Sequence, residues 1–199
     1  MLKFNSNGFY IKAIEKGTYG DYDGVEGDSW FQKRANIDLP KDKCNNWVNY
    51  YRENIDKNWA DSNWCDLIVD KNILCTIVDL CCQYNIVINV YYCLTTKLHP
   101  SMCNNLSENI CKKQFIGFDY SYAGGDFYSC VFSEIYSGRI KEFSNYKLNR
   151  NGLFETESEI TSYIEKRKLI AQNDKLRFEQ GDMTIYKLWK CDLQSLIDD

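Results

Sequence analysis

The segment from Ile86 to Cys93 constrains the fold of this chain more than any other part of the sequence. Its residues are apolar on both faces of an extended strand, and several of them are β-branched. Successive side chains of a strand point to opposite faces of the sheet, so a strand of this kind must be covered on both sides. The apolar run continues to Leu94 but is interrupted by Asn89 and is about half as long as a membrane-spanning helix. The segment therefore predicts a central strand of a soluble protein.

The composition favours one globular domain over residues 1–199. The chain is 44% hydrophobic and contains 15 Tyr, 10 Phe and 5 Trp, which is enough material for a sizeable core and excludes intrinsic disorder. With 24 basic and 28 acidic residues the net charge is −4. No segment concentrates Lys and Arg without nearby acids, so general binding of nucleic acid through a basic face is not expected.

Three segments show the pattern of an amphipathic helix. Apolar residues recur every fourth position over residues 45–59. Asp70 can cap a helix that starts at Lys71, in which Asp79 lies opposite the apolar stripe. Thr156-Glu157-Ser158-Glu159 is a capping box, in which the side chains of the first and last residues each satisfy a free backbone N–H. The helix that follows is predicted to run to about Ala171, with Ile160, Ile164 and Arg167 in register.

Alternating residues and turn signals predict further strands. Gly8 to Glu15 has period two and indicates an opening strand. The runs Phe115–Tyr122 and Phe127–Tyr136 flank paired glycines, which favours a β-hairpin. Residues 176–179 and 183–190 flank Gln180-Gly181-Asp182 and suggest a closing hairpin. Together these elements predict an α+β fold, with a largely antiparallel sheet and about three packed helices.

The ten cysteines are expected to be reduced thiols that fill the core. The N-terminus has no apolar segment of the length that a secretory signal needs, so a cytoplasmic location is expected, where thiols stay reduced. None of the cysteines forms the C-x-x-C pairs of a zinc site. We therefore predict neither a disulfide framework nor a metal site.

The sequence carries no recognisable catalytic or cofactor-binding motif. His99 is the only histidine, and it lies beside Pro100 in a loop-like stretch. No Walker loop, G-x-G-x-x-G or G-x-S-x-G is present. Asp119 and Asp126 flank the glycine turn and could serve as an acid–base pair. The simpler interpretation makes Asp126 a turn residue and Asp119 a polar position on one strand face.

The most acidic stretch, Gly17 to Asp28, is a glycine-rich loop with interleaved aromatic residues. Val25 and Glu26 occupy positions that break the EF-hand pattern. The loop is either a solvated connection, the common use of such a cluster, or a surface that faces a partner with a basic surface. The candidate partner-binding residues are Tyr19, Asp21, Tyr22, Asp23, Glu26, Asp28 and Trp30 in and beside this loop, with Asp119, Tyr122 and Asp126 at the predicted hairpin.

Two stretches resemble small immunity proteins encoded beside bacterial polymorphic toxins. They are Phe115 to Ser129, which reads FIGFDYSYAGGDFYS, and Leu148 to Phe154, which reads LNRNGLF and precedes the last predicted helix. The resemblance implies a cytosolic, non-enzymatic protein that neutralises a cognate toxin by covering its active site.

The leading hypothesis is thus a non-enzymatic binding protein that inhibits a macromolecular partner. A second hypothesis is a phage-type antagonist of bacterial defence that sequesters a small nucleotide signal in an aromatic pocket. A third is an enzyme that uses Asp119 or Asp126. A basic, aromatic-lined cavity would favour the second, and a flat or convex acidic patch the first.

Overall fold

The computed structural model describes residues 1–13, 68, 71–85, 87–96, 111–122, 131, 134–135, 141–173 and 183–197. A four-stranded antiparallel sheet forms its centre, with the strand order β1-β2-β4-β3. The strands are β1 (Ser6–Ala13), β2 (Ile88–Thr95), β3 (Lys113–Tyr122) and β4 (Met183–Cys191). Because β2 lies between two neighbours and is buried along nearly all its length, the predicted central strand is confirmed.

Helices α1 (Lys71–Gln83), α2 (Glu157–Asn173) and α3 (Leu193–Ile197) and a short 3-10 helix, Lys141–Phe143, accompany the sheet. The predicted α+β class is therefore confirmed. The predicted helix over residues 45–59 lies outside the described residues. Among the helices that the structure describes, none has the length and apolar character needed to cross a membrane.

Helix α1 follows the predicted stripe. Leu74, Ile77 and Val78 are fully or almost fully buried, whereas Asp79 is exposed. The stripe packs against side chains of β1 and β2, among them Phe9. Residues spaced by three and four positions share one face of a helix, which is why this pattern alone placed α1 correctly.

Helix α2 begins with the predicted capping box. The backbone N–H of Thr156 donates to a carboxylate oxygen of Glu159 at 2.9 Å, and the N–H of Glu159 donates to the Thr156 hydroxyl at 3.2 Å. Further along, Ile160, Ile164 and Arg167 are buried, as their register predicted. The helix closes a second core cluster over β3 and β4.

Helices α1 and α2 cover the same face of the sheet at different strands. Phe9, Tyr92 and Trp189 are consecutive cross-strand partners and so point to one face. Helix α1 packs over this face at β1 and β2, and helix α2 packs over it at β3 and β4, where it meets Phe118 and Ile185. The opposite face of the sheet carries a third buried cluster of seven residues.

The predicted hairpin of Phe115–Tyr122 with Phe127–Tyr136 is wrong. The neighbour of β3 in the sheet is β4, and on its other side Phe118 forms an isolated bridge with Phe154. The Phe118 N–H donates to the Phe154 carbonyl at 2.8 Å, and the reverse bond measures 3.1 Å. Within 127–136, the described residues Val131, Glu134 and Ile135 are helical. Long-range pairing has therefore overridden the local strand-like composition.

Of the predicted closing hairpin, only the second strand is confirmed. Residues 183–190 lie in β4, whose neighbours in the sheet are β2 and β3. Residues 176–179, the other half of that hairpin, lie outside the described residues. Strand β4 therefore joins the sheet through distant parts of the chain.

Candidate binding surface

Most of the predicted partner-binding residues lie outside the part of the chain that the structure describes. These are Tyr19, Asp21, Tyr22, Asp23, Glu26, Asp28, Trp30 and Asp126. His99 also lies outside it. Tyr122 ends β3, opposite Met183 of β4. The prediction that the acidic loop meets a partner therefore stays a prediction.

Asp119 lies on the face of β3 opposite Phe118, as the alternation of the sequence predicted, but this face is buried. It is 1% exposed, and its Oδ1 accepts hydrogen bonds from the backbone N–H of Tyr120 at 2.7 Å and of Val131 at 3.4 Å. Both faces of β3 are buried at this point, because the second face of the sheet is covered as well. Asp119 is thus a structural residue of the interior and not a surface contact.

The structure instead brings aromatic rings and lysines together across three strands. We call this cluster the aromatic–lysine strip; it consists of Tyr92 on β2, Trp189 and Lys187 on β4, and Lys113, Phe115 and Phe118 on β3. Tyr92 and Phe118 are buried in the two core clusters, so the rings of the strip that reach solvent are those of Phe115 and Trp189. The ring centroids of Tyr92 and Trp189 are 5.5 Å apart, and those of Trp189 and Phe115 are 5.6 Å apart. Phe115 is 40% exposed and Trp189 is partly buried, so the strip reaches the molecular surface there.

Two lysine ammonium groups lie over these rings. The Lys113 Nζ is 4.0 Å from the centroid of Tyr92, and the Lys187 Nζ is 5.3 Å from that of Trp189 and 5.8 Å from that of Phe115. At such distances a cation is attracted by the ring quadrupole, which restrains the lysine side chains. The strip therefore presents positive charge next to an exposed aromatic ring.

A β-bulge in β3 accounts for the exposure of Phe115. Phe115 is paired with Trp189, and Gly117 is paired with Leu188, the next residue along β4, so Ile116 is the extra residue. A bulge bends the strand and re-aims the side chains around it. Here Ile116 is buried in the opposite face, whereas the ring of Phe115 stays at the surface.

A cavity of about 610 Å³ adjoins the strip at Phe115. Its other walls come from Gln114 and Ile116 of β3 and from residues 149–151, 155 and 156, which include Arg150 and Glu155. The volume is within the range of sites for small molecules. One cation and one anion among these residues leave the cavity without a strongly basic character.

Asn149 fixes the wall of this cavity. Its Oδ1 accepts hydrogen bonds from the N–H groups of Asn151 at 2.9 Å and Leu153 at 3.2 Å, and its Nδ2 donates to the Ile116 carbonyl at 2.8 Å. One side chain thus closes the turn and ties it to β3, so the wall is preformed. The Phe118–Phe154 bridge that follows joins the two stretches on which the resemblance to immunity proteins rests.

The sequence analysis overlooked the strip, although the sequence contains a signal for it. Lys187 and Trp189, like Lys113 and Phe115, are two positions apart and so fall on one face of their strands. Only the pairing of β3 with β4 brings the two pairs together.

The described residues contain no group of three or more His, Cys, Asp or Glu side chains that could hold a metal ion. Comparison of the chain with protein-family models, with curated proteins and with solved structures finds no match.

Proposed function

We propose that this chain is a non-enzymatic, cytoplasmic binding protein that inhibits a macromolecular partner, as an immunity protein neutralises its toxin. The observation that carries the proposal is the partly exposed ring of Phe115, which is held between Trp189 and Lys187 on a rigid sheet. Aromatic side chains supported by their neighbours and surrounded by polar groups are typical of the residues that dominate binding energy at protein interfaces.

The placement of Asp119 supports a binding role over catalysis. Its carboxylate is enclosed and accepts hydrogen bonds from the chain's own backbone, so a substrate has no access to it. A general acid or base must come within hydrogen-bond reach of the reacting atoms. The third hypothesis, an enzyme that uses Asp119 or Asp126, therefore loses the support of Asp119, while Asp126 lies outside the described residues.

The charges suggest how such a partner is oriented. Lys113 and Lys187 favour acidic or aromatic groups of the partner at the strip, whereas the acidic loop over Gly17–Asp28 favours basic groups. Complementary charges of both signs fix the orientation of a complex and disfavour wrong partners. A toxin that carries a basic active-site cleft and also an acidic or apolar patch would fit these charges.

Co-expression with the products of the flanking genes tests the proposal. One flanking product should arrest bacterial growth when expressed alone, and the wild-type chain should restore growth. Replacing Phe115 with Asp should raise the dissociation constant of the complex by about 30-fold, since loss of an interfacial aromatic anchor typically costs about 2 kcal/mol or more of binding free energy. Calorimetric titration of the purified proteins measures this change.

Leu169→Asp provides the matched control, because Leu169 is an apolar residue that is 61% exposed on α2 and does not belong to the strip. It should bind the partner as the wild type does, while circular dichroism verifies that both variants fold. If no flanking product is neutralised by the wild-type chain, the proposed inhibition is wrong. If Phe115→Asp binds normally, the strip is not the contact surface.

A second candidate function, capture of a small nucleotide signal, is favoured by one observation. The accessible rings of Phe115 and Trp189 could stack on a base, Lys187 lies beside them for a phosphate, and the adjoining cavity includes Arg150. Calorimetric titration with a panel of cyclic dinucleotides tests this candidate. Saturable binding that is lost in Lys187→Ala would support it, and absence of heat with the whole panel would exclude these ligands.

A further inference from the structure

Two cysteines meet where β3 begins and β4 ends. Cys191 is the last residue of β4, and its cross-strand partner is Lys113, the first residue of β3. Cys111 precedes Lys113 by two positions. The backbone continues this pairing beyond the strands, since the Asp192 N–H donates to the Lys112 carbonyl at 2.9 Å. The Cys111 side chain packs against the core cluster that contains Cys191, and each thiol shifts the pKa of the other.

The two thiols differ in access to solvent. Cys191 is 6% exposed and belongs to the core cluster beneath α1 and α3, whereas Cys111 is half-buried and packs against the edge of that cluster. The end of β3 is further held by a 2.9 Å hydrogen bond from the Lys112 N–H to the Ser195 hydroxyl of α3. A reagent from solution can therefore reach the Cys111 thiol more easily than the buried Cys191 thiol.

The surroundings also separate the two thiols by acidity. The hydrogen bond from Cys191 lowers the pKa of Cys111, and the ammonium groups of Lys113 and Lys71 contribute, while burial and Asp192 oppose the shift. The hydrogen bond to Cys111, followed by burial, raises the pKa of Cys191. By contrast, burial first and the neighbouring Cys82 second raise the pKa of Cys81 to about 11. The surroundings thus favour the thiolate at Cys111 over the thiolate at Cys191.

We propose that Cys111 and Cys191 form an oxidation-sensitive dithiol, in which Cys111 is the site of modification by low-molecular-weight disulfides and Cys191 is the resolving thiol. The pair stays reduced under reducing conditions, so this proposal is compatible with structural cysteines in the cytoplasm. It does not depend on the proposed inhibitory function.

The reaction consists of two exchanges. First, the Cys111 thiolate attacks one sulfur of the external disulfide, whose S–S bond breaks, and a mixed disulfide and one reagent thiolate result. Second, the Cys191 sulfur attacks the Cys111 sulfur, and the second reagent thiolate leaves. The proton of Cys191 passes to a released reagent thiolate through solvent. Overall, two protein thiols are oxidised to one disulfide, and the external disulfide is reduced to two thiols.

The first exchange prepares the second. When Cys111 is in a mixed disulfide, it carries no negative charge and no longer accepts a hydrogen bond as a thiolate. Both effects raise the pKa of Cys191 in the reduced pair, so their loss lowers that pKa and makes Cys191 the better nucleophile. The intermediate on Cys111 should therefore be short-lived in the wild-type chain.

Alkylation and oxidation of the native full chain test the proposal. In a brief pulse of iodoacetamide at neutral pH, mass mapping should show that Cys111 reacts about tenfold faster than the more exposed Cys82, because the thiolate is the reacting species. The midpoint of its pH–rate curve should lie below that of an unperturbed cysteine in a peptide, about 8.5. Oxidised glutathione should then produce a cross-linked peptide that contains Cys111 and Cys191.

Two variants make the result decisive. Cys191→Ser should stop at glutathione on Cys111, and Cys111→Ser should leave Cys191 unmodified under the same treatment. Even if Cys191→Ser does not fold, the cross-link in the wild-type chain and the Cys111→Ser result still test the pair. The proposal would be overturned if the rate of alkylation followed solvent exposure alone, with Cys82 reacting first. It would also be overturned if oxidation produced no Cys111–Cys191 cross-link.

Discussion

Gly117 is required at the bulge in β3 for two reasons, its backbone conformation and the lack of space for a side chain. Its φ of 139° lies in a region that residues with a side chain rarely adopt. A Cβ at this position would also stand 2.6 Å from the Phe154 carbonyl oxygen and 2.7 Å from the Leu153 Cβ. The bridge between β3 and the 149–154 segment therefore requires glycine here.

Replacing Gly117 with Ala should lower the free energy of unfolding by about 2 kcal/mol or more, because it combines backbone strain with a clash against main-chain atoms. Urea unfolding monitored by circular dichroism measures the change. Gln114→Ala, at an exposed position of the same strand, should change stability by less than about 0.5 kcal/mol. Equal stability of the two variants would contradict this account of the bulge.

Arg167 marks the limit of sequence reasoning at the residue scale. Its spacing from Ile160 and Ile164 correctly placed it on the buried face of α2. Its partner could not be foreseen, because Glu134, whose Oε1 is 2.9 Å from the Arg167 Nε, lies in a segment predicted to be a strand. Tyr163 also donates to Glu134 through its hydroxyl. A buried charge needs a partner, but spacing along one helix does not identify it.

At the scale of elements, local sequence patterns correctly predicted individual helices and strands. The capping box and helical periodicity predicted α2, alternation predicted β1 and β3, and a turn signal predicted the strand β4. Pairing between strands is a different problem, because it depends on contacts distant in sequence. The glycine turn after β3 suggested a local hairpin, yet β3 pairs with β4, which begins 61 positions after the end of β3, at Met183 against Tyr122.

The capping box gives a prediction at this scale. Thr156→Ala removes the hydroxyl that accepts the Glu159 N–H, so the free energy of unfolding should fall by about 1 kcal/mol. Ser162→Ala, at an exposed position within α2, is the matched control and should be neutral or slightly stabilising. Thermal unfolding of both variants measures the difference. A Thr156→Ala variant as stable as the control would show that the cap contributes little.

At the scale of the whole molecule, the candidate site depends on how distant segments assemble. The sequence indicated that aromatic residues serve binding, but it pointed to the acidic loop and to the hairpin tip. The strip could not be located because it needs three strands in register, with Tyr92, Trp189 and Phe115 side by side. Composition shows which side chains are present, whereas the register decides which of them share a surface.

The acidic loop supplies the prediction at the largest scale. Neutralising Asp21, Asp23, Glu26 and Asp28 to Asn or Gln should slow association with the partner and weaken its dependence on salt, since charges at the rim of an interface act mainly on the encounter rate. Stability should change little, because exposed charges contribute little to it. Stopped-flow kinetics and thermal unfolding measure the two effects. An unchanged association rate at low ionic strength would identify the loop as a solvated connection.

The strand order also determines when the aromatic–lysine strip can assemble during synthesis of the chain. Strand β4 follows the other three along the chain but lies between β2 and β3. The roughly 60 residues between β3 and β4 take several seconds to translate at about 5–20 residues per second. Until β4 has been synthesised, no strand pairs with both β2 and β3, so Tyr92 and Phe115 are not held side by side, and Trp189 is absent. A nascent chain therefore has no aromatic–lysine strip until translation has passed Cys191.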